Sequence, residues 1–131
     1  MSEPSRAHPA YPERTRARDI AAGVNAGKTS AEAMMQAALA RTCAYDAIQP
    51  QAWISRAEDE SLMTAARRVD ARVAAGETLP LAGVPFAAKD NIDVAGLETT
   101  AGCPAFAYRS ERSATVIEKL EAAGAICIGK T

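Results

Sequence analysis

Histidine is all but missing from this sequence of 131 residues: the single one, His8, stands in an amino-terminal stretch interrupted by Pro4, Pro9 and Pro12. No imidazole is therefore available in the folded part to complete a metal site or to turn a cysteine into a thiolate. Long apolar runs are missing too, and nothing approaches the ~18 consecutive apolar residues of a membrane-spanning helix. With a formal net charge of −1 and no block of like charge, the chain lacks the electrostatic footprint of a nucleic-acid or anionic-membrane binder. Cys43, Cys103 and Cys127 are an odd number with no close pair, which argues against a disulfide framework and suits a reducing cytoplasm. None of the serines at 2, 5, 30, 55, 61, 110 and 113 lies in a glycine-rich run.

What is present is ordinary for one small soluble domain: 48% hydrophobic and 24% charged residues. Residues 1–14 read as a disordered tail. Its arginines suggest a transit peptide, but the prolines break any amphipathic helix and Glu3 and Glu13 are against type. Residues 15–131 read as the folded part. Ala17, Ile20, Ala21 and Val24 share one helical face before Gly27. Thr29 and Glu32 have the spacing of a capping box for a second helix reaching about Tyr45, with Met34, Met35, Ala38 and Leu39 as its packing face. Trp53 and Ile54 form a short apolar anchor. Leu62, Ala66, Val69 and Val73 predict a third helix from about Asp59, closed by Gly76, with Arg67, Arg68 and Arg72 on its solvated sides.

The organising stretch is 81–96, LAGVPFAAKDNIDVAG. From Val84 to Ala88 almost every side chain is apolar, the pattern of an interior strand covered on both faces. The run ends in Lys89, at the carboxyl end of that strand, where α/β folds gather ligands and catalytic groups. A lysine drawn out of water can be partly neutral and act as a base, whereas the plain alternative is a lysine snorkelling to solvent beside Asp90. Asp90 to Asp93 predict a turn. Asp90, Asp93 and Glu98 lack the spacing of a calcium loop, so no metal is assigned to them. The stretch 96–112 reads as a long irregular segment, with Cys103 a small packed side chain rather than a nucleophile. Ser113 is the expected cap of a fourth helix carrying Val116, Ile117, Leu120 and Ala123; residues 125–128 predict a second buried strand. Strand, helix and strand in that order outline a crossover and a parallel pair, hence an α/β fold.

Residues 124–131, GAICIGKT, satisfy the phosphate-loop expression letter for letter. The context contradicts it, because a phosphate loop follows a strand and opens a helix, whereas here a helix precedes the match and Ile126 and Ile128 are strand formers.

The blocks GVPFAAKDNID (83–93), TTAGCPAFAY (99–108), ATV (114–116) and GAICIGKT (124–131) agree in order and spacing with the opening of the amidase signature family, which this chain resembles over about residues 20–131. CPAFAY (103–108) and WISR (53–56) look most like the allophanate hydrolase branch. The resemblance implies the N-terminal helices and first strands of a mixed sheet, an incomplete amidase fold over 15–131. It implies amide hydrolysis of the Ser-cisSer-Lys type, in which one serine attacks the carbonyl, a second in a cis peptide relays the proton, and a lysine is the base. Lys89 matches that lysine. The family places both serines after the Gly-Lys-Thr at 129–131, so the chain alone is expected to lack turnover. The implied partner is a small amide, allophanate first, with no cofactor, metal, nucleic acid or membrane, in a cytoplasmic enzyme that the resemblance allows to be a homodimer at full length. The alternatives are a general amidase, a non-catalytic interaction protein and a glutamyl-tRNA amidotransferase A subunit. Two buried parallel strands also need cover on both sides, which leaves independent folding in doubt.

Overall fold

The computed structural model describes residues 15–131, and the expected tail at 1–14 lies outside the described residues. Three helices lead. Helix α1, Ala17–Asn25, buries Ala21 and Val24 and stops before Gly27, whose φ of +69° few side chains tolerate. Helix α2, Ala31–Asp46, buries Ala31, Met35, Ala38 and Thr42. Its cap is Ser30, whose hydroxyl accepts from the Ala33 amide, and not Thr29 as the spacing suggested. The next orphan amides, of Ala31 and Glu32, donate to the two carboxylate oxygens of Asp70 at 2.7 and 3.1 Å, so a residue of another helix does the rest of the capping.

After a short 3-10 turn at Pro50–Ala52, strand β1, Ser55–Arg56, leads into helix α3, Asp59–Ala74. Leu62, Ala66 and Val69 are buried as their spacing predicts, and Val73 packs at the margin. The helix closes on Gly76 as expected, with the Gly76 amide on the Val73 carbonyl and the Glu77 amide on that of Arg72.

Strand β2 is Pro85–Ala88. Beyond it a two-stranded hairpin, β3 (Glu98–Thr99) and β4 (Tyr108–Arg109), gives structure to the stretch expected to be irregular. Helix α4, Thr115–Ala122, returns the chain to strand β5, Ile126–Lys130, which runs parallel to β2. The predicted crossover is therefore present. Ser113 does not cap α4; its hydroxyl accepts from the Ala95 amide, and Ala114 takes the cap position. Val116 faces outward at 51% exposure, so α4 buries a narrower face, centred on Ile117, than its apolar content suggests.

The sheet order is β1–β5–β2, with β1 antiparallel to β5. The interior strand is thus β5, buried along its whole length, and not β2. Among the described residues β2 pairs on one side alone; Pro85 and Phe86 are half-buried and Ala87 is exposed. Apolar composition reports that a strand seeks cover but not which neighbour supplies it, which is why the expectation failed. Gly129 lets β1 approach β5: a Cβ there would lie 2.3 Å from the Ser55 carbonyl oxygen. The larger core packs α1, α2 and α3 against Val84, Ile126 and Ile128. A smaller one gathers Ala88, Val94, Ile117 and Cys127 under α4, and Phe86 touches both.

Candidate active site

The carboxyl ends of the parallel strands β2 and β5 lie side by side, and the polar chemistry collects there. The Thr131 amide donates to the Ala88 carbonyl at 2.9 Å, and the Asp90 amide donates to the Thr131 carbonyl at 2.8 Å. Between those two bonds stands Lys89. Ala88 is buried in the smaller core, Lys89, just past the end of the strand, is exposed, and Asp90 is buried again. Its carbonyl accepts from the Ile92 amide, which closes the predicted turn. The Lys89 side chain makes no hydrogen bond or ion pair with the described residues.

Next to it is a buried polar network that sequence reasoning missed. Lys130 is fully buried. Its ammonium donates to the Asp90 carbonyl at 3.1 Å, the Glu98 carbonyl at 3.1 Å and Thr99 Oγ1 at 3.3 Å, and lies 3.9 Å from Asp90 Oδ1. Three N–H groups meet three acceptors, which is what a buried ammonium needs. Asp90 Oδ2 accepts from the Thr100 hydroxyl, from the Thr100 amide at 3.1 Å and from the Gly102 amide at 3.3 Å. Burial works to raise the pKa of Asp90, but these donors and the nearby Lys130 charge outweigh it and hold the carboxyl below its ordinary range. Asp93 is likewise held low, by hydrogen bonds from Tyr108 and then Thr99; the Tyr108 hydroxyl lies at 2.7 Å and that of Thr99 at 2.8 Å. Tyr108 is pushed up in return. The two aspartates are thus hydrogen-bond acceptors that order the hairpin.

The phosphate-loop match dissolves in this geometry, since residues 126–130 are the interior strand and all three donors of Lys130 are spent inside the protein. Cys103, expected to be packed, is exposed on the hairpin, while burial pushes the thiol of Cys127 up, as befits a core side chain. A partial signal for Lys130 was present in the sequence. An apolar run ended by lysine occurs twice, at Lys89 and at Lys130, and the longer-covered strand carries the buried one.

The Amidase family model matches residues 33–131. Urea amidolyase of Saccharomyces cerevisiae is 52% identical over 80 residues, 61% of this chain and 4% of that protein. The A subunit of glutamyl-tRNA(Gln) amidotransferase from Deinococcus radiodurans is 40% identical over 115 residues, 87% of this chain and 23% of that protein. The native peptide amidase of Stenotrophomonas maltophilia superposes with a TM-score of 0.79 at 32% identity, covering 91% of this chain and 25% of that one. The chain therefore spans a quarter or less of the length of these relatives.

Proposed function

The chain belongs to the amidase family, and from that premise we propose that residues 15–131 form the amino-terminal part of a serine amide hydrolase whose general base is Lys89. The observation that carries the reading is the place of this lysine: it is the exposed residue between two buried ones at the carboxyl ends of the parallel strands. In the family's chemistry a serine hydroxyl adds to the amide carbonyl while its proton passes through a second serine to the neutral lysine. The lysine then returns that proton to the departing nitrogen, so that ammonia or an amine leaves and an acyl-enzyme remains for water to split. The role requires an amine withdrawn from water and held by hydroxyls. A longer polypeptide closing over the open side of β2 would supply both.

Allophanate, split to ammonia and carbon dioxide in urea breakdown, is the substrate we favour, on the 52% identity to urea amidolyase. The wider match to the amidotransferase supports part of a glutamyl-tRNA amidotransferase A subunit as the second reading. Three free thiols, two of them exposed, suit a reducing cytoplasm.

Two assays test the proposal. The 131-residue chain by itself should release no ammonia from allophanate, because a base without its nucleophile supplies little; turnover by this chain would overturn the reading. Joined at Thr131 to the remainder of yeast urea amidolyase, the chain should hydrolyse allophanate, and K89M should lower kcat by about 10³-fold, within the range for loss of a general base. An active K89M chimera would remove Lys89 from the chemistry. Between enzyme and non-catalytic interaction protein, the reading frame beyond codon 131 decides: the hydrolase reading expects it to encode Asn-Leu and, some tens of residues on, a serine-rich glycine run, and a stop codon there would favour the non-catalytic protein.

A further inference from the structure

We propose that Lys130 is a positioning residue for this site: its buried ammonium fixes the turn that presents Lys89. The inference rests on Lys89 being the base. Lysine is seldom fully buried, because withdrawing an ammonium from water is costly unless its donors are matched. A methionine would fill the same space at the end of an interior strand, so packing does not explain a lysine here. The acceptors do. One is the carbonyl of Asp90, the residue directly after Lys89; the others are the Glu98 carbonyl and Thr99 Oγ1 of the hairpin. One cation thus ties the end of β5 to the segment carrying the proposed base and to the hairpin beyond it.

The peptide groups on both sides of Lys89 are held by backbone bonds, and the one that follows them is held by Lys130. The Ala88 carbonyl and the Asp90 amide bond to Thr131, the Lys89 carbonyl accepts from Ile92, and the Asp90 carbonyl accepts from Lys130. The first three are backbone bonds that any sequence makes in this fold. The fourth depends on one side chain. Thr99 extends the hold, since its hydroxyl accepts from Lys130 and donates to Asp93 Oδ1, which also accepts from Tyr108. Asp90 Oδ1 is buried without a hydrogen-bond partner among the described residues, 3.9 Å from the same ammonium, so a small displacement of Lys130 changes its electrostatics as well. Lys130 has no path to substrate of its own; it acts on the reaction through the backbone of residue 90.

The test uses T99V, which removes one acceptor of Lys130 together with a donor to Asp93 at little change of shape, and K130M, which removes the cation. In the full chain joined at Thr131 to the remainder of the S. maltophilia peptide amidase, each should lower kcat on a peptide amide by about 10- to 100-fold, the scale of a misplaced catalytic group, with KM within twofold. In the same fusion, hydrogen exchange at the Asp90 and Thr131 amides should accelerate about tenfold relative to the α3 amides, which report global opening. Unchanged kcat per folded molecule in T99V, or exchange that rises equally in α3, would overturn the inference and leave Lys130 a structural cation. If K130M does not fold, T99V decides. K89M in the same fusion separates the two readings: if it stays active the base assignment fails, and if it is dead while T99V and K130M keep their kcat, only the positioning role fails.

Discussion

Lys89 and Lys130 end two apolar runs of similar composition, yet one is exposed and the other has no contact with solvent. Local pattern could mark both as places where burial meets charge. It could not say which would turn inward, because that depends on three acceptors delivered by residues 90, 98 and 99, up to 40 positions away. The same holds for Asp90, read from its neighbours as a turn former: it is that, but its carboxylate is also buried and fed by donors 10 and 12 residues on. Its depressed pKa has a signed consequence. An ionised Asp90 is favoured more in the folded chain than in the unfolded one, so its contribution to stability is complete above the unfolded value near 3.9 and vanishes as pH falls through the lower native value. Asp93 adds a term of the same sign. Melting temperature should thus fall steeply below about pH 4. D90N should be destabilised at neutral pH by about 3 kcal/mol, since it leaves Lys130 without its buried counter-charge, and should show a shallower acid limb. An acid limb as steep in D90N as in the parent chain would mean that other carboxylates govern it.

At the level of elements, all four helices were legible, because each needs only a short window of apolar spacing, and α3 repeats its signal over 16 residues. Their starts were less so. Thr29 and Ser30 are both good caps one residue apart, and the choice between them was made by tertiary structure: Asp70 reaches from α3 to the two amides that follow Ser30. Ser113 was diverted in the same way, to the Ala95 amide. Strand order was not legible at all, since β2 and β5 are equally apolar and only the assembled sheet puts β5 inside. The Asp70 bridge carries a prediction for the packing of α2 on α3. D70A strands two amides, one of them on the fully buried Ala31, and should cost about 2 kcal/mol. D70N, which keeps one acceptor oxygen, should lose about half as much, as read by chemical denaturation with an unchanged m-value. Equal losses for the two variants would mean that the charge rather than the bonding geometry matters.

The whole molecule is lopsided. One face of the sheet carries three helices, but the outer side of β2 has no strand beside it among the described residues, and next to it a groove of about 370 Å³ is lined by Tyr45, Trp53, Phe86, Ala87 and Ile128. An unpaired strand edge with apolar surroundings is a template for another chain, and natural proteins blunt such edges with charge, lysine above all. Here Ala87 sits exposed on that strand. The same exposure that the hydrolase reading assigns to a longer polypeptide therefore makes the 131-residue chain prone to self-association. Sedimentation velocity should show oligomers growing with concentration, and A87K should shift the population toward monomer. Because residue 87 is exposed, the substitution should change unfolding free energy by no more than about 0.5 kcal/mol. If A87K associates as the parent does, the contact lies elsewhere, and the exposed Phe106 and Tyr108 of the hairpin, which pack edge to face 5.7 Å apart, become the surface to charge next.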